Sequence, residues 1–102
     1  MNVDPIGKLV ELGFSEYEAK AYVALLRKSP VTGYELAKLS GVPRSMIYEV
    51  AGKLTARGAA MTLRKDGAIQ YAPVPAEELL EHLHREHDEL IVTLKRELVT
   101  LT

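Results

Sequence analysis

The chain has 102 residues, of which 47% are hydrophobic and 26% charged, the size of one domain around one core. It contains no cysteine, which excludes disulfides, thiolate zinc sites and cysteine nucleophiles. Residues 1–10 lack the basic segment and apolar run of a signal peptide, and no stretch approaches the roughly 20 apolar residues of a membrane span. A soluble, cytoplasmic protein is the expectation. The net charge of -1 hides an asymmetry. Between Arg27 and Ala72, eight basic residues against three acidic ones give +5, whereas the segments before and after carry -2 and -4. The middle is therefore the expected anion-facing surface, because neutralising phosphates requires Lys and Arg.

A first helix is predicted from about Asp4 to Leu12, with Gly13 as its left-handed stop. Ser15 and Glu18 form an S-x-x-E capping box, so a second helix begins at about Glu16. Its apolar stripe is Ala19, Tyr22, Val23, Leu25 and Leu26, and the pattern stops at Ser29-Pro30. Thr32 and Glu35 repeat the box and open a short helix with Leu36, Ala37 and Leu39 inward, closed by Ser40-Gly41. One or two residues of turn are expected before Pro43, which suits the first position of a fourth helix. In that helix Ile47, Val50, Ala51 and Leu54 repeat at helical spacing until Gly58. Two helices joined so closely must cross sharply, the geometry of a helix-turn-helix whose second member can enter a major groove.

Beyond Gly58 the runs 59–63 and 69–72 flank Asp66-Gly67, which fits a two-residue type I′ hairpin turn. A hairpin in this place is a wing, with Arg64 and Lys65 at its tip. From Ala76 a helical pattern continues to Leu101, roughly 39 Å at 1.5 Å per residue. Leu80, Leu83, His87, Leu90, Leu94 and Leu101 form an a/d-like seam with Leu98 beside it, while Glu81, Arg85, Asp88, Glu89 and Lys95 take the other side. Such a stripe needs a partner, and the expected one is a second copy of the chain. The fold class is thus mainly α with a small β-hairpin: a winged helix-turn-helix over residues 1–75 and a dimerisation helix over 76–102.

Three separated blocks carry a family resemblance. They are Leu12-Gly13-Phe14-Ser15-Glu16-Tyr17-Glu18-Ala19-Lys20-Ala21-Tyr22, then Ser40-Gly41-Val42-Pro43-Arg44-Ser45-Met46-Ile47-Tyr48-Glu49-Val50, and Tyr71-Ala72-Pro73-Val74-Pro75 leading to Glu77-Glu78. In this order they resemble the DNA-binding domain of the TrmB family of transcription regulators. The resemblance implies a winged helix with recognition helix 43–57 and wing 59–72. Larger members carry a C-terminal effector domain, often for sugars; this sequence ends at Thr102 without one, so sugar sensing is not carried over. Ala59 and Ala60 stand where the family has larger aliphatics, and thinner packing is expected there.

With the core side of helix 43–57 assigned, Arg44, Ser45, Tyr48 and Lys53 are free for DNA. Arg44 can donate two hydrogen bonds to guanine O6 and N7, and Ser45 is expected to position a phosphate. Tyr48 has two readings, a hydroxyl aimed at phosphate or a half-buried packing residue. Lys53, Arg57, Arg64 and Lys65 are expected as backbone contacts, which position without reading sequence. Glu49 is expected to pair with Lys53 at i,i+4. His82, His84 and His87 share one helix, with His84 and His87 one turn apart, but the nearby carboxylates Glu81, Glu86 and Asp88 are read as a solvated face and no metal site is expected; His87 lies on the seam as a polar residue that fixes register. There is no Gly-rich phosphate loop, no H-E-x-x-H and no serine with a His and Asp around it, so neither an enzyme nor a cofactor is expected. The expected partners are double-stranded DNA and a second copy, with no membrane and no identified effector. The rival reading is a protein-interaction adaptor in which the leucine seam binds another protein.

Overall fold

A computed structural model describes residues 4–102; Met1, Asn2 and Val3, part of the stretch read for a signal peptide, lie outside the described residues. Eight elements follow in order: α1 (Pro5–Glu11), α2 (Glu16–Arg27), β1 (Val31–Thr32), α3 (Gly33–Ser40), α4 (Ile47–Ala56), β2 (Ala60–Lys65), β3 (Ala68–Pro73) and α5 (Ala76–Leu101). Both capping boxes form. Ser15 Oγ accepts from the Glu18 amide at 3.1 Å while Glu18 Oε1 accepts from the Ser15 amide at 2.7 Å. Thr32 and Glu35 make the same exchange at 3.2 and 3.0 Å. The Glu35 carboxyl is held below its ordinary value, first by the Thr32 amide, then by the Thr32 hydroxyl, with a smaller push from Lys28; partial desolvation opposes them.

The core centres on α2, which buries Ala19, Ala21, Tyr22, Val23, Ala24 and Leu25. Against it lie Leu36 of α3, Val42, and Ile47, Val50, Ala51 and Leu54 of α4, the side of α4 that its periodicity predicts. Tyr22 is buried, and its hydroxyl donates to the Val74 carbonyl at 2.8 Å, tying α2 to the end of the wing. Burial raises its phenol above the usual value of 10.0.

Four sequence expectations change. α4 begins at Ile47 rather than Pro43: Met46 has φ −114°, and its amide closes a turn onto the Pro43 carbonyl at 2.9 Å, so residues 43–46 form a separate turn ahead of the helix. The connection from α3 is correspondingly Gly41 to Met46. Leu39 and Leu26 are half exposed rather than inward. The hairpin gains a third strand, because Val31 pairs with Tyr71 and Thr32 with Gln70, giving the antiparallel order β1-β3-β2. Finally, Leu79, which the seam left unassigned, is buried at 1% exposure and joins the core, with Leu83 packed partly against it.

The wing turn is as predicted. Asp66 has φ 50° and Gly67 φ 77°, the two positive values of a type I′ turn, and Lys65 pairs with Ala68 across it. Ala59 and Ala60 are both buried, with the Ala59 amide donating to the Leu54 carbonyl at 2.8 Å. Beyond Leu83, α5 leaves the core and runs exposed to its end. The radius of gyration is accordingly 16.0 Å, against about 13 Å for a compact chain of this length. No helix among the described residues is long and apolar enough to cross a membrane.

Candidate nucleic-acid interface

The turn before α4 presents Arg44 and Ser45 to solvent, and the first turn of α4 presents Tyr48 at 58% exposure. None of the three belongs to the buried stripe of α4, which is Ile47, Val50, Ala51 and Leu54. α4 starts without a side-chain cap, which leaves first-turn amides available to an outside acceptor. Tyr48 is exposed, and its ring also packs on the backbone of α3, as the packing reading expects. A Cβ added to Gly33 would lie 2.5 Å from Tyr48 Cε1, so only glycine seats the ring in this position. Tyr48 also neighbours Tyr71, whose phenol is raised above 10.0 first by burial and then by the charge Tyr48 would carry.

The cations divide into two groups. Lys53 pairs with Glu49 at 3.6 Å on an exposed face, as the i,i+4 spacing predicts. Arg57 is committed to the fold: its guanidinium donates to the Gly13 carbonyl and to Glu18 Oε1, both at 3.0 Å, and lies 3.9 Å from the Phe14 ring centroid. It ties the end of α4 to the α1–α2 turn and neutralises a Glu18 side chain that is only 7% exposed. Both bonds leave from Nη1, so Arg57 has a structural role beyond the phosphate contact expected of it, while its remaining N–H donors make no hydrogen bond among the described residues. Arg44, Lys38, Arg64 and Lys65 have no carboxylate partner among the described residues. Arg64 and Lys65 are exposed near the wing tip.

Tyr34 and Lys38 were absent from the sequence-based set and belong on this surface. The Arg44 guanidinium sits 4.7 Å from the Tyr34 ring centroid and the Lys38 ammonium 4.6 Å from it. The i,i+4 spacing of Tyr34 and Lys38 could have flagged their pairing; the approach of Arg44 depends on the chain path after α3.

The seam residues of α5 separate in the same way. Leu80, Leu90, Leu94, Leu98 and Leu101 are exposed, and Ile91 joins them, whereas Leu83 is partly committed to its own core. His82 and His84 face Glu86 and Asp88 at 3.2 and 3.5 Å. No group of three or more His, Cys, Asp or Glu among the described residues could hold a metal ion.

Residues 9–77 match the family model described as sugar-specific transcriptional regulator TrmB. The chain is 51% identical over 81 residues to the uncharacterized protein YrhO of Bacillus subtilis, covering 79% of this chain and 29% of that protein. It is 33% identical over 89 residues to the HTH-type sugar sensing transcriptional regulator TrmBL1 of Pyrococcus furiosus, covering 87% and 26%. The chain therefore spans less than a third of the length of these relatives. Among solved structures, the archaeal chromatin protein TrmBL2 superposes with a TM-score of 0.79 at 32% identity, over 95% of this chain and 40% of that one. With the family model covering two thirds of its length and a winged helix at its centre, this chain belongs to the TrmB family of transcriptional regulators, not to a family of enzymes.

Proposed function

We propose that the chain binds double-stranded DNA as a homodimer, with α4 in the major groove, the β2–β3 hairpin as wing, and α5 joining the two copies. The observation that carries this reading is the exposed end of α4. Arg44, Ser45 and Tyr48 stand at the position from which docked recognition helices meet base edges, and no carboxylate among the described residues neutralises Arg44. Arg44 reads a guanine, Ser45 and Tyr48 approach phosphate, and Lys53, Arg64 and Lys65 hold the backbone. The likeness to TrmBL2, a chromatin protein whose structure shows a novel mode of DNA binding, supports DNA as the partner. Two recognition helices about 34 to 36 Å apart would meet successive major grooves of a near-palindromic site. A DNA-bound role puts the protein in the cytoplasm with the chromosome.

The test is a fluorescence-anisotropy titration against random-sequence duplex DNA at several salt concentrations. With Arg57 committed to the fold, three or four cations per protomer remain for phosphate, so log affinity should fall against log salt with a slope of about −5 to −7. A double Arg64→Ala, Lys65→Ala variant should flatten the slope by about 3 to 4 for the dimer. Absence of binding even at low salt would favour the adaptor reading instead.

A further inference from the structure

Tyr34 lies in the first turn of α3, outside the recognition helix, and is half exposed. Its ring is the shared neighbour of two cations from different segments: Lys38 from the next turn of α3, and Arg44 from the segment that leads into α4. A ring quadrupole attracts cations over its face. A guanidinium laid on such a face engages through its flat side, while its five N–H donors lie in the plane and project from the edge. Stacking therefore restrains an arginine without consuming the donors that read a base. Arg44 needs such a restraint. It sits in the exposed turn 43–46, ahead of the first helical residue, and no ion pair among the described residues fixes its side chain. An unrestrained arginine would lose most of its rotamer freedom on binding and present its fork in many orientations.

We propose that Tyr34 is a positioning residue for sequence reading, its ring holding the Arg44 guanidinium so that the fork meets a guanine edge, with Lys38 beside it for the adjoining phosphate. This rests on the DNA-binding reading above. It also locates a determinant of specificity on α3, which would itself lie across the DNA backbone rather than in the groove.

The experiment begins by selecting an enriched site for the wild-type protein from a pool of random-sequence duplex DNA. Affinities are then measured on that duplex, on the same duplex with deazaguanine (which lacks the N7 acceptor) at the enriched guanines, and on the starting pool. The proteins are wild type, Tyr34→Phe, Tyr34→Leu, Arg44→Ala and the Tyr34→Leu, Arg44→Ala double variant, each with a thermal melt to show that it is folded. Tyr34→Leu should lose roughly two- to fivefold of the preference for the selected site, Tyr34→Phe should keep it, and the loss should vanish in the Arg44→Ala background. The deazaguanine penalty should shrink in Tyr34→Leu. Equal loss with and without Arg44, or full preference in a folded Tyr34→Leu, overturns the proposal while leaving DNA binding standing. A wild-type protein that binds no duplex at low salt overturns both.

Discussion

Arg57 and Arg64 carry the same side chain into different surroundings. Arg57 closes a half-buried pair with Glu18 and stacks on Phe14, so Arg57→Ala would strand a carboxylate in the core side of α2. Breaking a fully buried pair costs about 3 to 5 kcal/mol, and partial exposure of the arginine lowers the expected loss to about 2 kcal/mol. A denaturant melt should show that loss, while the salt slope of DNA binding by the folded fraction stays as in wild type. Arg64→Ala should do the reverse, flattening the slope with an unchanged melt. Glu35 makes a second prediction. Its carboxyl is lowered chiefly by the Thr32 amide and then the Thr32 hydroxyl, so its contribution to stability is complete above the ordinary carboxylate range and is lost as pH falls through the folded value. Glu35→Gln should therefore melt below wild type at neutral pH, with the gap closing in acid. A gap independent of pH would contradict it.

Among the elements, α5 is the one with divided loyalties. Its first two turns belong to the winged helix, anchored by Leu79 at 1% exposure, and the remainder projects with an apolar stripe. Leu79→Ala should cost about 2 to 5 kcal/mol, the range for a buried leucine, and should loosen the wing as well because Leu79 and Tyr71 share one core. Guanidinium melts followed by both far-ultraviolet dichroism and tyrosine fluorescence would read the two effects. The boundaries of the elements show how local chemistry and tertiary context share control. Capping boxes and the Asp66-Gly67 turn are local and were legible from spacing. The start of α4 was not, because Pro43 suits both a helix N-terminus and a turn; here it opens a turn between the buried Val42 and Ile47.

For the whole molecule, the exposed seam of α5 adjoins an apolar cleft of about 230 Å³ lined by Leu9, Leu12, Leu26, Leu79 and Leu80. On the proposed homodimer reading, a second copy would cover this cleft and the exposed leucines of α5. Leu94→Glu places a charge among those leucines, on a residue that touches no part of its own core. Sedimentation should show the wild type as a dimer and Leu94→Glu as a folded monomer with DNA affinity reduced more than tenfold, since each half-site would then bind alone. A wild type that sediments as a monomer at high concentration would rule out the homodimer.

The sequence by itself determined what depends on short range. Helix starts at Ser15 and Thr32, the wing turn, the buried stripe of α4, the Glu49–Lys53 pair and the family were all readable because each is specified by residues within a few positions, or by motifs in order along the chain. Tertiary structure decided what depends on approach between distant segments. The strand Val31–Thr32 is two residues long and exists only because β3 offers it a partner. Arg57 takes on a structural role because Glu18, 39 positions away, comes within 3.0 Å. The platform of Tyr34 beneath Arg44 and the seat of Tyr48 on Gly33 likewise form across the α3–α4 crossing. Periodicity shows which side of a helix is buried, but the neighbour that a particular exposed side chain meets is set by the packing of whole elements.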